Sequence, residues 1–208
     1  MRFTTLAVYV TLAAQVASLA ALVVFEETRG SRLAAQIAAL QGAPHSQAAQ
    51  SVAGQVSVFA VLVMLVAGTA VASAVAYLTW LVRARQANDR AATAGPVLAA
   101  WLVPFVNLVA PVLLLDEVWK GSRPPYDQRV RWLSLVAAWW LGWLGSLVLL
   151  AARLADDSEG TLTGIGAREL AITGMAALLC AATVREVTRL QTARGRARLR
   201  YRSLSRAA

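Results

Sequence analysis

The stretch that decides the fold reads Pro96-Val-Leu-Ala-Ala-Trp101-Leu-Val-Pro104-Phe-Val-Asn107-Leu-Val-Ala-Pro111. It is apolar at almost every position, yet it contains three prolines within sixteen residues. A proline inside a helix removes a backbone donor and clashes with the carbonyl of the preceding turn. This stretch is therefore not expected to form one continuous helix, although its composition alone would allow a buried one.

The rest of the chain contains longer apolar blocks that proline does not interrupt in this way. No charged side chain occurs in residues 3–25, 33–82 or 132–152. The chain as a whole is 58% hydrophobic and 15% charged, whereas soluble domains are about 45–50% apolar and about a quarter charged. Apolar blocks of eighteen residues or more are typical of membrane-spanning helices, so a soluble globular domain is excluded.

The fold class that follows is an all-α integral membrane protein, a small bundle of four spanning helices plus one Pro-broken segment. Broken backbone at membrane depth is tolerated only where protein or water satisfies it, so residues 96–118 are predicted to be re-entrant or interfacial. A kinked fifth span remains the alternative. The first block is longer than the apolar core of a secretory signal and is expected to be a retained helix. The predicted spans cover residues 1–25, 52–82, 132–152 and 166–184.

The loops between these spans hold most of the charge. There are 20 Lys and Arg against 11 Asp and Glu, which gives a formal net charge of +9. If residues 96–118 do not cross, sixteen basic residues fall on one face and four on the other. Positive residues accumulate on the cytoplasmic side, so both termini are predicted to be cytoplasmic. The connections are then an outer loop with a short helix (26–51), inner loops (83–131), an outer acidic loop (153–165) and a basic cytoplasmic tail (185–208).

Cysteine and histidine each occur once, as Cys180 and His45. This excludes an intrachain disulfide, a bis-His haem, an iron–sulfur cluster and a zinc site of the usual kind. A Ser–His dyad would depend on His45, which has no acid close in sequence, and no Gly-rich phosphate loop is present. We therefore expect no catalytic residue, no metal and no cofactor.

Three motifs follow one another in the middle of the chain. They are Tyr77-Leu-Thr-Trp80-Leu-Val-Arg83-Ala-Arg85, then the Trp101–Pro111 stretch, then Asp116-Glu117-Val-Trp119-Lys-Gly-Ser122. The succession resembles a family of bacterial membrane proteins, common in actinobacteria, known as domain of unknown function 4328. That family is marked by Trp-Leu-x-Arg-Ala, Trp-x-x-Pro-x-x-Asn-Leu-x-x-Pro and Glu-x-Trp-x-x-Ser. The resemblance covers roughly residues 62–150 and implies a polytopic membrane domain, but no activity.

Within these motifs lies a candidate polar or structural site. Asn107 stands between two of the breaks, where its amide can satisfy carbonyls freed from the helix. An acid near the membrane is costly unless it is paired, so Glu117 is expected to pair with Arg83 or Arg85. The cluster is either a lock that holds the broken segment or a functional pocket. The site residues are Trp101, Pro104, Asn107, Pro111, Glu117, Trp119, Arg83 and Arg85.

Two further groups are a deep tryptophan cluster and the tail. Trp139, Trp140 and Trp143 lie inside the third uninterrupted block, where packing or ligand stacking are both compatible with the pattern. From residue 185 onward the chain has eight arginines against one glutamate, a composition drawn to anionic lipid. The expected anionic-lipid contacts are Arg194, Arg196, Arg198, Arg200 and Arg202.

The sequence therefore predicts a non-enzymatic accessory, scaffold or regulatory component of the bacterial plasma membrane. Its expected partners are the lipid bilayer, anionic lipid at the inner face, and a membrane protein or a second copy of the chain. No specific nucleic acid is expected, because no recognition fold accompanies the basic tail. The alternative is a small transporter or channel subunit that uses the Pro-broken segment as part of a passage.

Overall fold

The computed structural model describes residues 2–40, 47–155 and 161–207, with the backbone alone at 47–51, 126, 154–155 and 197–207. Over these ranges the chain is all-α and contains no strand. The seven α-helices of the described chain are α1 (Arg2–Phe25), α2 (Ser31–Ala39), α3 (Gln47–Asn88), α4 (Gly95–Leu102), α5 (Ala110–Gly121), α6 (Arg129–Ala155) and α7 (Ala167–Ala207). A π-helical turn, Glu26–Gly30, joins α1 to α2, and short 3₁₀ turns occupy Val106–Leu108 and Tyr126–Gln128.

Four helices in the described ranges are long and apolar enough to cross a membrane. Their qualifying stretches are Arg2–Ala39, Val52–Asn88, Arg129–Arg153 and Ala167–Arg196. The predicted fold class is thus confirmed in its main statement. The short helix expected in the first loop is α2, and α7 continues far beyond the predicted end of the last span at residue 184. The acids of the predicted outer acidic loop, Asp156, Asp157 and Glu159, lie outside the described residues.

The Pro-broken segment is two short helices rather than one span, and each proline has a clear position. Pro96 and Pro111 stand in the first turns of α4 and α5, where the missing N–H has no helical partner to lose. Pro104 forces the residue before it out of the helical region, and Val103 is indeed extended with ψ 121°. With 8 and 12 residues, α4 and α5 extend for about 12 Å and about 18 Å, well short of a hydrocarbon core of about 30 Å.

The chain divides into two compact units. The hairpin unit comprises residues 1–10, 74–140 and 178–208, and it contains α4 and α5. Because α4 and α5 contact each other across the break, Gly95–Gly121 is a helical hairpin. The buried core of this unit is rich in large side chains, which include Trp80, Leu81, Leu115, Val118, Trp132, Val136 and Val187.

The loop unit comprises residues 11–73 and 141–177. Its apolar cluster joins Phe25, Leu33 and Val52, with the ring of Phe59 at 6.1 Å from that of Phe25. The carboxylates of Glu26 and Glu169 hold the segment before α7 in place.

Glu26 Oε1 accepts hydrogen bonds from the backbone N–H groups of Leu162 at 2.7 Å and Thr163 at 3.0 Å. Glu169 Oε2 accepts from Gly166 N at 3.0 Å, and its Oε1 lies 3.1 Å from Arg153 Nε. Backbone donors of a segment outside regular structure must find acceptors when they are removed from water. The two glutamates supply those acceptors.

Candidate functional site

The tip of the hairpin is a tight turn with unusual backbone geometry. Val106 N donates to Pro104 O at 2.8 Å, and Phe105 between them has φ 65° and ψ −42°. A non-glycine residue with positive φ at the centre of a three-residue turn is strained and persists only where its surroundings impose it. The Phe105 side chain is 86% exposed, and Leu102 beside it is 72% exposed. The hairpin therefore carries an apolar tip that no described part of the chain covers.

Below the tip, Trp101 joins an aromatic cluster. Its ring centroid lies 5.5 Å from that of Tyr77, 6.1 Å from that of Trp140 and 6.5 Å from that of Trp139. Trp80 extends the cluster through Tyr77 at 5.7 Å. These separations are typical of aromatic packing, in which each pair adds about 0.5–1.5 kcal/mol beyond burial. Trp139 and Trp140, predicted to pack or to stack a ligand, are buried and pack at tilted or edge-on angles against side chains of this protein.

The break itself is stabilised by a tryptophan rather than by Asn107. Trp140 Nε1 donates to the carbonyl oxygen of Leu108 at 3.0 Å, which satisfies an acceptor freed by the broken helix. Asn107 is half-buried, and its Oδ1 is buried without a hydrogen-bond partner among the described residues. The predicted role of the Asn107 amide thus falls to an indole that follows it by more than thirty positions in the chain.

The other end of the hairpin is fixed by Asp116, which is buried in α5. Both guanidinium Nη atoms of Arg129 donate to its carboxylate, Nη2 at 2.9 Å to Oδ2. Trp132 Nε1 donates to Oδ1 at 3.1 Å, and Lys120 Nζ lies 2.9 Å from Oδ2. A bidentate arginine on a carboxylate is among the strongest protein hydrogen-bond arrangements. The Asp116 network therefore ties α5 to the start of α6.

The protonation of Asp116 follows from these contacts. Burial alone raises the pKa of the carboxyl, because it disfavours the charged form. The hydrogen bonds from Arg129, Lys120 and Trp132 outweigh burial and lower the pKa to about 2, from an ordinary value of 3.8. Asp116 is consequently ionised throughout the physiological range, as an ion-pair partner must be.

Two tryptophans complete this network. The rings of Trp119 and Trp132 stack with centroids 5.3 Å apart and an interplanar angle of 3°. The guanidinium carbon of Arg129 lies 5.4 Å from the centroid of Trp119, in position for a cation–π contact. The predicted site residue Trp119 is therefore part of the structure that positions Arg129.

Glu117 forms no described ion pair with the partners expected for it. It is exposed on α5, and among the ion pairs of the described side chains none joins it to Arg83 or Arg85. Arg83 is exposed and Arg85 is half-buried. The acid that forms the ion pairs is Asp116, one position earlier, with Arg129 and Lys120 as its cations.

Three side chains hold the ends of α3, α5 and α7 together. Asn88 Nδ2 donates to Val118 O at 2.8 Å, and Gln191 Nε2 donates to Ala84 O at 2.8 Å. Arg194 Nη1 donates to Gly121 O at 2.7 Å, a carbonyl at the C-terminus of α5 that has no helical partner. A Cβ at position 121 would meet Asn88 Nδ2 at 2.6 Å, so any residue other than glycine must displace the Asn88 amide.

The remaining predicted site residues differ in their exposure to solvent. Pro104 is exposed at the tip and Pro111 is buried at the start of α5. In the tail, Arg194 is half-buried against Gly121 and Arg196 is exposed. The side chains of Arg198, Arg200 and Arg202 lie outside the described residues, so their predicted lipid contacts stay predictions.

The Asp116–Arg129 pair was not among the predicted site residues. The sequence did contain a signal that Asp116 forms an ion pair, because Asp116 and Lys120 are four positions apart on one helix and therefore neighbours on its surface. The pairing with Arg129 depends on the turn after α5, where Arg123 has φ 54°. A positive φ at an arginine is not readable from its local sequence.

Taken together, the four long apolar helices fit a multi-pass membrane protein with a broken helical hairpin between its second and third long helices. The chain belongs to the family described as Domain of unknown function (DUF4328), whose profile matches residues 41–192. The match reaches beyond the 62–150 range of the resemblance and takes in part of the first loop and most of α7. No curated protein and no solved structure matches the chain.

Proposed function

We propose that this chain is a multi-pass protein of the bacterial plasma membrane whose helical hairpin is re-entrant. Support comes from the positions along α6 at which the two ends of the hairpin are bonded. Asp116 is bonded to Arg129, the first residue of α6, and Leu108 is bonded to Trp140, eleven residues further along. Eleven residues of helix correspond to about 16 Å, roughly half of the hydrocarbon thickness. The hairpin tip thus reaches mid-membrane depth and returns on the side of Arg129.

The proposed orientation has both termini in the cytoplasm. The hairpin unit contains sixteen basic and five acidic residues, whereas the loop unit contains four basic and six acidic ones. Basic residues of short loops favour the cytoplasmic side. The basic tail on the same side then contacts anionic lipid at the inner face.

The proposed role is non-enzymatic: an accessory, scaffold or regulatory component that binds a membrane-protein partner or a second copy of the chain. The observation that carries it is the contrast between the two ends of the hairpin. At one end the Asp116 carboxylate has both oxygens engaged by side chains of this chain, so it serves as a lock. At the other end the Phe105 side chain stands exposed on a strained turn. An exposed apolar tip is suited to contact another helix.

A transporter or channel subunit is the second candidate. Asn107 favours it, because its Oδ1 is buried near the tip without a partner among the described residues. An amide oxygen at mid-membrane depth is a suitable ligand for a passing ion or hydrogen-bond donor.

The orientation is tested by single cysteines in a Cys180→Ser background, labelled with a membrane-impermeant maleimide in intact and in permeabilised cells. Asp89→Cys and Pro125→Cys are expected to react only after permeabilisation, and Thr161→Cys also in intact cells. Labelling of positions 89 and 125 from opposite sides would overturn the re-entrant hairpin. Labelling of both in intact cells would instead reverse the orientation.

The binding role is tested with a photo-reactive residue at Phe105 in the full chain in native membranes. We expect discrete protein adducts from position 105. Met64, also exposed and apolar on α3, is the matched control and is expected to give lipid adducts. Lipid adducts alone at position 105 would contradict the binding role. A conductance of the reconstituted chain that falls in Asn107→Leu would establish the passage in its place.

A further inference from the structure

Arg194 ties the last helix of the chain to the base of the hairpin. It is half-buried on α7, and its Nη1 atom donates to the carbonyl oxygen of Gly121 at 2.7 Å. Gly121 is the last residue of α5, so its carbonyl oxygen has no N–H partner within that helix. The guanidinium also places a positive charge at the C-terminal, negative end of the α5 dipole. We call this bond the Arg194 clasp.

The residues of α7 near Arg194 lie on two faces of the helix. Val187 is fully buried and Gln191 is half-buried, and both lie on the packed face with Arg194, at helical spacing from it. Arg189 and Arg196 are exposed on the opposite side. A ligand that meets the exposed arginines can therefore leave the Arg194 clasp intact.

The helix after Arg194 continues to Ala207, although its sequence does not favour a helix. Gly195 comes next, and glycine is a poorer helix former than every other residue except proline. Arginines then recur four positions apart, and like charges at that spacing destabilise a helix. The pairs at this spacing are 194/198, 196/200, 198/202 and 202/206. A ligand that neutralises these charges therefore stabilises the end of α7 that adjoins the clasp.

We propose that anionic lipid bound to the tail strengthens the Arg194 clasp and thereby stabilises the base of the hairpin. Headgroup phosphates neutralise the arginines after Gly195, which removes the repulsion that opposes the helix there. A more stable helix across Gly195 holds the Arg194 side chain against Gly121 for a larger fraction of the time. The inference rests on the proposed contact between the tail and anionic lipid, and it assigns that contact a consequence for the hairpin.

The test measures amide hydrogen exchange of the full chain in nanodiscs of phosphatidylcholine, with and without phosphatidylglycerol. The readout is the exchange rate at the end of α5, where Ser122 N donates to Trp119 O and Arg123 N donates to Lys120 O, both at 3.0 Å. We expect phosphatidylglycerol to slow this exchange about threefold, the size that relief of a few like-charge pairs gives.

Arg194→Gln is compared with Arg196→Gln, which removes the same charge from an exposed position two residues later. Arg194→Gln is expected to speed exchange at the end of α5 about fivefold in phosphatidylcholine, the effect of one lost hydrogen bond, and to abolish the response to phosphatidylglycerol. Arg196→Gln is expected to leave the rate in phosphatidylcholine unchanged and to keep most of the response. Arg194→Lys, which keeps the charge, covers the case in which Arg194→Gln unfolds, and part of the response is expected to remain.

Gly195→Ala tests the same connection without lipid. A Cβ at position 195 would meet nothing within 4 Å, and alanine favours a helix between the clasp and the tail. The variant is expected to slow exchange at the end of α5 in phosphatidylcholine alone, and so to reproduce part of the lipid effect. Unchanged exchange in Gly195→Ala would contradict the transmission through α7.

A photo-reactive residue at Ala197 reports separately whether the tail meets lipid. Lipid adducts without any change in exchange would overturn the inference and leave the proposed lipid contact standing, whereas the absence of both would remove both. Equal loss of the response in Arg194→Gln and Arg196→Gln would show that total tail charge, and not the clasp, controls the hairpin. Equal slowing by soluble polyphosphate in phosphatidylcholine discs would assign the effect to a soluble polyanion and overturn the role of lipid.

Discussion

The hairpin unit and the loop unit each depend on a carboxylate, Asp116 buried in the first and Glu26 half-buried in the second, but the two carboxylates accept hydrogen bonds from different kinds of donor. Asp116 in the hairpin unit is bonded only to side chains, those of Arg129, Lys120 and Trp132. Glu26 in the loop unit is bonded to backbone N–H groups of residues 162 and 163. One joins two helices through charge, and the other shapes a segment outside regular structure by replacing its missing hydrogen bonds. In this apolar chain, an acid removed from solvent has hydrogen-bond donors around it, which are side chains at Asp116 and backbone N–H groups at Glu26.

Removal of the charge at Asp116 is expected to have the largest effect. Asp116→Asn removes the counter-charge of the half-buried Arg129 and the exposed Lys120, and we expect a loss of about 2–3 kcal/mol in the free energy of unfolding. Unfolding of the detergent-solubilised chain in dodecyl sulfate, followed by tryptophan fluorescence, measures it. Glu117→Gln, exposed on the next position, is the matched control and should change stability by less than about 0.5 kcal/mol. Similar losses in both variants would mean that the ion pairs do not hold the hairpin.

The pH dependence of stability tests the contribution of the Asp116 carboxylate in a second way. The pKa of Asp116 is lowered from 3.8 to about 2, so its ionised form contributes stability above the unfolded value and loses it as pH falls through the folded one. The stability difference between wild type and Asp116→Asn is therefore expected to be constant at neutral pH and to shrink as the pH is lowered from about 4 to about 2. Unfolding measured at a series of pH values gives this difference directly. A difference that grows on acidification would contradict the sign.

Glu26→Ala tests the loop unit and is expected to cost about 2 kcal/mol, because two backbone donors lose their acceptor. The same unfolding assay measures the total. Limited proteolysis between residues 161 and 166 is expected to speed up as that segment loosens. Glu27→Ala changes the same charge at an exposed neighbouring position and should leave cleavage unaltered. Faster cleavage in both variants would show that net charge, and not the two hydrogen bonds, controls the segment.

Gly121→Ala is expected to have the smallest effect, about 1 kcal/mol, because the added methyl group displaces the Asn88 amide from Val118 O. Gly145→Ala on α6 is the control, since nothing lies within 4 Å of its Cβ position. Alanine favours a helix over glycine, so the control should gain up to about 1 kcal/mol. In an Asn88→Ala background the cost of Gly121→Ala should vanish. A cost that persists there would rule out the steric contact as its cause.

What the sequence predicted well are the features that depend on local chemistry. Each proline restricts its own residue and the one before it, so the breaks at Pro96, Pro104 and Pro111 were readable without knowledge of any partner. The four long helices were readable for the same reason, because length and apolar composition suffice.

The sequence did not predict which of two neighbouring residues forms a given contact. Asp116 and Glu117 are adjacent acids whose side chains point about 100° apart on a helix, given 3.6 residues per turn. Which of them meets a cation depends on the face that α5 turns toward α6. The same holds at the break, where an indole 32 positions after Leu108 satisfies its carbonyl and the nearby amide of Asn107 does not.

The bond between Leu108 and Trp140 also constrains the order in which the protein assembles. The side-chain hydrogen bonds that Leu108 and Asp116 receive from Trp140, Arg129 and Trp132 all come from α6, which is synthesised after the hairpin. When residues 95–121 leave the ribosome, these partners do not yet exist. Neither short helix is long enough to span the hydrocarbon, so we expect the hairpin to reach its final position only after α6 is made. If the hairpin is re-entrant as proposed, biogenesis of this chain is expected to include a step in which a later segment brings an earlier one into place.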